Sequence, residues 1–260
     1  MSRSNPIDGI RNPAARWFEW AGGDDGGFVR WYDKDAKLNV KASLPFTFLL
    51  LDELSTVKGW HDPSQSGVYA NEVRDTRQDV LVVRSFKGGE LASGIYKSIK
   101  DRIAAQGGHY CASLYLAYKE GDELKIGNLC LKGAAASAWM EFKRSAPTRK
   151  DASGRSLRAY FIDAVKIIEF EQLKKGATVY RVPKFSLQQV SEESNRQAVA
   201  LDADLQTFLA DYLKRPRTEA SAPADSHEPH PAEAGHVDDF ADDIPWRDEV
   251  ETPVEEEIPF

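Results

Sequence analysis

The chain has 260 residues, of which 42% are hydrophobic, 29% charged and 10% aromatic, enough apolar material for one large packed domain or two small ones. The net charge of −7 averages two unlike parts: residues 219–260 hold 14 acidic side chains and one basic, Arg247, which leaves 33 basic against 27 acidic in residues 1–218. There is no apolar run of 18 residues, the polar start from Met1 to Arg16 lacks a signal-peptide core, and only two cysteines occur, Cys111 and Cys130, so a cytoplasmic, reduced protein with no membrane partner is expected.

In chain order, Phe46 to Leu51 is an apolar run that reads as a strand, and Val80 to Phe86 is another, with Arg84 and Lys87 at its exit. Ile95, Ile99 and Ile103 share a face in a short helix over Gly94–Gln106. His109 to Lys119 alternates: Tyr110, Ala112, Leu114, Leu116 and Tyr118 take one face, while His109, Cys111, Ser113, Tyr115 and Lys119 take the other. Glu120-Gly121-Asp122 reads as a hairpin turn, whose two-residue form at Glu120-Gly121 places Cys111 opposite Cys130, and Gly127 in the return strand Leu124 to Lys132 as a bulge. A second helix is expected over Ala134–Lys143, with Ala135, Ala138, Trp139 and Phe142 on one face. Tyr160 to Leu173 and Thr178 to Val190 are β-branched-rich strands joined at Lys174-Lys175-Gly176. Ala198, Leu201, Leu205, Phe208, Leu209 and Tyr212 then form the apolar stripe of a helix stopped by Pro216, for core packing or a subunit contact.

The fold expected from this order is mainly β (α+β): an antiparallel barrel of the OB type, five to seven strands, with an inserted helix and a C-terminal helix. Residues 1–190 form the barrel domain with an N-terminal extension, 191–215 the helix, 216–237 a disordered linker and 238–260 an acidic tail. Homo-oligomerisation through the helix stays open.

Catalysis finds little support. No HExxH, GxSxG, GxGxxG or P-loop occurs, so no enzyme activity and no cofactor are expected. His109, Cys111 and Cys130 offer three zinc ligands without a fourth, and packing is the plainer reading. A metal-dependent nuclease built on Asp52, Glu53, Asp75 and Asp79 is conceivable, but carboxylates at strand ends are ordinarily solvated.

Aromatic and basic residues are interleaved through the body, as a single-strand binder requires. Rings stack on unpaired bases while Lys and Arg follow the phosphates. The candidates are Trp31, Tyr32 and Lys34; Lys58 and Trp60; Arg84, Phe86 and Lys87; Tyr115; Lys143 and Arg144; and Arg158 and Tyr160. Trp31, Trp60, Phe86 and Tyr115 are the favoured platforms, whereas Trp17, Phe18, Trp139 and Phe142 are read as core. The basic stretch from Lys143 through Arg149, Lys150 and Arg155 to Arg158 reads as a loop able to close over a strand.

The sequence ends Glu255-Glu256-Glu257-Ile258-Pro259-Phe260, and Asp242-Asp243-Ile244-Pro245-Trp246 is a close copy upstream. A terminal ring beside a carboxylate suits an apolar pocket with a basic rim. Asp243, Ile244, Pro245, Trp246 and Glu255 to Phe260 are therefore the expected partner-docking residues. This end resembles the acidic tip of bacterial single-stranded DNA-binding proteins, with Glu in place of Asp. The body is more similar to phage and mobile-element single-stranded DNA-binding proteins of the OB-fold type, through Asn12 to Trp20, Trp31 to Lys34, Gly94 to Lys100, Tyr110 to Lys119 and Leu124 to Asn128. The resemblance implies sequence-independent binding of single-stranded DNA in a bacterial or phage-infected cytoplasm, with replication, recombination or repair proteins recruited by the tip. An RNA-binding protein, or an adaptor acting through its tail alone, shares much of this pattern.

Overall fold

The apolar run that starts at Phe46 does not end at Leu51. In the computed structural model, which describes residues 11–151 and 153–215, it continues to His61 as the longest strand among the described residues. The chain order is β1 (Arg16–Ala21), β2 (Phe28–Asp33), β3 (Leu38–Lys41), β4 (Phe46–His61), β5 (Ser66–Ala70), β6 (Leu81–Ser85), β7 (Gly89–Gly94), α1 (Tyr96–Ala105), β8 (Gly108–Glu120) and β9 (Glu123–Lys132). Then follow α2 (Ala134–Ser145), β10 (Thr148–Lys150), β11 (Ser156–Arg158), β12 (Ala164–Lys175), β13 (Thr178–Gln188) and α3 (Glu192–Tyr212). The mainly β class with three helices is as expected, but the strands are about twice as many. The docking residues Asp243 to Trp246 and Glu255 to Phe260 lie outside the described residues.

Eleven strands share one sheet in the order β3-β2-β1-β9-β8-β4-β5-β6-β7, with β12 and β13 branching from β4. β4 pairs along one side with β8; on its other side its start, Phe46 to Phe48, pairs with β12, and its end, Lys58 to His61, with β5. A register shift between Leu50 and Asp52 turns β4 over. Phe46, Phe48 and Leu50 point into the main core before it and Val57 after it, while Leu54 points to the opposite face. That reversal hides the second half of the strand from a period-of-two reading. β1 and β9 run parallel, Arg16 beside Gly127 through Glu19 beside Cys130, so the sheet is not wholly antiparallel.

The ladder does not close into a barrel. From β13, Arg181 N–H donates to Gly22 O (2.8 Å) and Trp20 Nε1–H donates to Arg181 O (2.9 Å), bringing this hairpin against the end of β1. One face of the sheet carries the main core, including Phe18, Trp20, Leu114, Leu116, Leu129 and Leu131, and α2 seals it with Ala135, Ala136 and Trp139. α3 covers the other face. Its Leu205, Phe208 and Leu209 bury against Leu54, Tyr115 and Ile126, each roughly 1.5–3 kcal/mol of apolar burial. The apolar stripe of α3 therefore packs on its own sheet. Ser191 caps the helix by accepting from Ser194 N–H at 3.1 Å.

Two local expectations change. Gly127 is not a bulge: β8 and β9 stay in register through it. A Cβ there would lie 2.7 Å from Phe18 Cε2 and 3.1 Å from Tyr118 Cδ1, so glycine is what lets β1 approach β9. Gly127→Ala is expected to cost about 1–3 kcal/mol in urea denaturation; an unchanged midpoint would contradict this packing. The β8–β9 loop is Gly121-Asp122, with Gly121 at φ 61°, the left-handed first position of a type II′ turn. Cys111 thus faces Lys132, and Cys130 faces Ser113, rather than each other.

Candidate nucleic-acid interface

Five of the sequence candidates converge where β4 ends. On β5, Val68 and Ala70 belong to the main core, so Tyr69 and Gly67 face outward. Trp60 sits beside Gly67, whose carbonyl accepts from Phe86 N–H at 3.1 Å. This makes one cross-strand row, Trp60–Gly67–Phe86, in which the middle residue has no side chain. The next row is Lys58–Tyr69–Arg84. Tyr69 and Phe86 meet with ring centroids 4.7 Å apart at 35°. Lys87, exposed, follows directly. Three rings and two cations, Arg84 and Lys87, thus form one outward surface with Lys58 at its inner edge, and Trp60, Phe86, Tyr69 and Arg84 are all half-exposed. Tyr69 escapes the sequence reading because no basic residue adjoins it.

The turns beneath are tied together. Buried His61 contacts Ser64 Oγ through Nδ1 at 2.7 Å and Gln106 Oε1 through Nε2 at 2.8 Å. Ser64 Oγ also meets Ser66 Oγ at 2.8 Å, and Gly88 N–H donates to Ser85 Oγ at 2.7 Å. These bonds fix the 3-10 turn Asp62–Ser64 and the β6–β7 turn that bear the platform.

The other candidates fall elsewhere. Trp31 and Tyr32 occupy opposite faces of β2, which β1, β9, β8 and β4 separate from β5. Trp31 packs edge-on against Phe18 at 5.8 Å with the Arg16 guanidinium 4.7 Å from its ring centre. Tyr32 and Lys34 remain on a distant surface. Tyr115 is no platform: it is fully buried, because α3 covers the face that its strand alternation leaves polar. Lys143 Nζ donates to both oxygens of Glu53 at 2.7 Å, and Tyr160 packs among Trp139, Phe142 and Phe185. These two seal the end of the core. Arg158 Nη1 donates to Ala146 O at 3.0 Å, and Arg144 is exposed. The basic loop is a small β10–β11 hairpin in which Arg149 pairs with buried Asp163 at 2.9 Å and Arg155 with Asp151 at 3.3 Å.

The carboxylates weighed for metal chemistry are already engaged. Asp52 takes a two-pronged contact from Arg74 at 2.9 and 2.8 Å, Glu53 holds Lys143, and Asp79 accepts from the Arg74 and Asp75 N–H groups. Among the described residues no group of three or more His, Cys, Asp or Glu is arranged to hold a metal ion. No described helix is long and apolar enough to cross a membrane.

Beside the platform, on the face of the sheet that α3 covers, lies a buried polar chain that sequence reasoning missed. Glu72 is 8% exposed; Ser113 Oγ–H donates to Oε1 and Tyr115 Oη–H to Oε2 (2.8 Å). Asn128 Nδ2 donates to Ser113 Oγ at 2.7 Å, and Asn12 Nδ2 to Tyr115 Oη at 3.3 Å. Burial lifts the Glu72 carboxyl above its ordinary pKa, against the two hydroxyl donors that favour its charge. Lys58 extends from the platform toward Cys130 and Cys111, its ammonium 5.8 Å from the centre of the Trp17 ring. Burial works to lower the Lys58 pKa, but the two sulfurs outweigh it and hold the ammonium above its usual value.

No protein-family model, curated protein or solved structure matches this chain.

Proposed function

We propose that the protein binds single-stranded DNA without sequence preference, on an OB-type module whose outward platform is Trp60, Tyr69 and Phe86 with Arg84 and Lys87, and with Lys58 at its inner edge. The observation that carries this reading is the pair of rows Trp60–Gly67–Phe86 and Lys58–Tyr69–Arg84. Bases stack on rings of any identity, and the cations meet phosphates, so the site reads shape and charge rather than sequence. The OB-type assignment draws support from the run β1-β9-β8-β4-β12-β13, whose last strand returns to Gly22 at the end of β1. The acidic residues after 215 serve a second role, recruiting replication, recombination or repair proteins through the two Ile-Pro-aromatic motifs.

The decisive experiment follows the fluorescence of the six tryptophans during titration with oligo-dT at about 50 and about 200 mM salt, with duplex DNA as control. Two to three phosphate contacts give a slope of log K against log salt of about −1.4 to −2.1, a loss of about 7- to 20-fold over that range. Quenching by oligo-dT and none by duplex is expected; no response to any oligonucleotide overturns the reading. Truncation after Arg215 removes the 14 acidic residues of 219–260 and is expected to raise affinity, most at low salt. Identical affinity and slope in the truncated chain would remove the tail from the binding equilibrium.

A further inference from the structure

β12 begins inside the sheet and ends outside it. Ala164, Val165 and Ile167 are buried beside β4, whereas every residue from Ile168 to Lys175 is exposed. β13 pairs with one edge of this exposed stretch, and among the described residues no strand pairs with the other. Ile168, Phe170 and Leu173 stand on it at 42%, 38% and 37% exposure. An open edge bearing apolar side chains is a template for strand pairing. The hairpin turns on Gly176-Ala177, with Gly176 at φ 59°, so Lys175 and Thr178 flank a two-residue loop and exchange the first ladder bonds. Alternation along an antiparallel ladder then turns the N–H and C=O groups of Lys174, Gln172 and Phe170 away from β13. The partner strand agrees with this. Pro183, opposite Phe170, has no N–H to donate, and Arg181, opposite Gln172, donates its N–H to Gly22 and accepts from Trp20 on the far side of the hairpin.

This edge carries its own complement. The stretch Glu169-Phe170-Glu171-Gln172-Leu173-Lys174-Lys175 is acidic at one end and basic at the other. We propose that two copies of the chain pair antiparallel along it, about a two-fold axis at Gln172. Glu169 then opposes Lys175 of the second copy, Phe170 opposes Lys174, and Gln172 opposes its own counterpart. The backbone groups of Phe170, Gln172 and Lys174, otherwise left to water, bond across the axis and extend β13-β12 into a four-stranded arm. Glu169 already meets Lys184 of its own chain at 3.3 Å and gains a second cation. The neighbouring registers are poorer. Centring on Glu171 opposes it to itself, and centring on Leu173 sets Glu169 against Ala177 in the turn. Charge therefore selects both the occupant and the register, since an unrelated apolar strand would satisfy neither end. The apolar stripe of α3 takes no part, being buried on its own sheet. β5 and β6 are not used either, so each dimer keeps two platforms, and the pairing does not depend on what those platforms bind.

Sedimentation equilibrium of the full chain over about 1–100 μM tests this, because two strand edges make a small interface and associate at micromolar concentration. A mass that rises with concentration from 29.0 kDa toward twice that value is expected. Gln172→Pro removes an outward N–H and leaves the bonds to β13 in place, so a monomer with the parent urea midpoint is expected. Glu169→Lys alone and Lys175→Glu alone are each expected to raise the dimer dissociation constant roughly tenfold, because both ends of a two-fold contact become repulsive. Mixed in equal amounts, these two variants are expected to recover the parental association, since each end of the mixed dimer again joins opposite charges. A general loss of stability cannot produce that recovery. A monomer at every concentration would overturn the proposal. So would a dimer that Gln172→Pro leaves intact, or single variants that fail to complement each other, because another surface or another register would then hold the copies together.

Discussion

Alanine at Trp60 or at Phe86 is expected to weaken oligo-dT binding by roughly 1–3 kcal/mol, about 5- to 150-fold, while leaving the urea midpoint close to that of the parent chain. The two rings flank Gly67 on one cross-strand row and belong to none of the buried clusters, so their loss removes a stacking surface without opening a core cavity. Arg84→Gln is expected to act differently, reducing the salt slope by about 0.7 and lowering affinity equally for every sequence. The informative control is Trp31→Ala. Trp31 packs on Phe18 beneath Arg16, and its strand β2 lies four positions along the sheet from β4, the nearest strand of the platform, so its loss is expected to lower stability and spare strand binding. The reverse ranking, with Trp31 essential to binding and Trp60 and Phe86 silent, would move the interface to the β1–β3 side of the sheet.

That contrast also shows which features a linear reading recovers. Alternation in β8 correctly separates Tyr110, Ala112, Leu114, Leu116 and Tyr118 as the core face. It errs at Tyr115 because it treats the polar face as a solvent face. Nothing local to β8 announces that α3, about 90 residues later, lies on it. The helix stripe itself is plain in sequence, and only its partner is hidden. Strands β1, β2, β3, β5 and β7 go unseen for a simpler reason: they are four to six residues long, too short for a firm period. The platform is half legible. Basic–aromatic adjacency finds Lys58-Gly59-Trp60 and Arg84-Ser85-Phe86-Lys87, but it finds Trp31-Tyr32 and Phe142-Lys143 by the same rule. Pairing decides among them. β4 and β6 flank β5, which brings two blocks together and adds Tyr69. Glu72 had no sequence signal, since a single glutamate between Asn71 and Val73 looks like any surface residue.

Glu72 is where the largest stability effect is expected. Glu72→Ala leaves the Ser113 and Tyr115 hydroxyls without their acceptor in a buried space and is expected to cost about 2–4 kcal/mol. The pH dependence has a definite sign. Burial first, and Cys130 among its neighbours, raise the folded-state pKa of Glu72, while Ser113, Tyr115 and Lys58 oppose the rise without cancelling it. A carboxyl with a raised folded pKa holds its proton more tightly in the folded chain. The stability it contributes is complete below the unfolded value of about 4.3 and is lost as pH climbs through the folded value. Half-buried carboxylates such as Asp75, Glu120 and Asp151, whose pKa values are lowered by hydrogen bonds from Arg77, Lys125 and Ser153 respectively, act in the opposite sense at low pH. The comparison that isolates Glu72 is therefore the parent chain against Glu72→Gln, which stays neutral throughout. From about pH 5 upward the parent is expected to lose stability relative to the glutamine variant, as the unfolded chain ionises ahead of the folded one. Urea midpoints measured in half-unit pH steps read this directly. Two curves that run parallel across the range would mean that Glu72 ionises alike in the folded and unfolded chain. Its hydrogen bonds from Ser113 and Tyr115 would then fully offset burial, and the polar chain beside the platform would carry no pH-sensitive charge at that position.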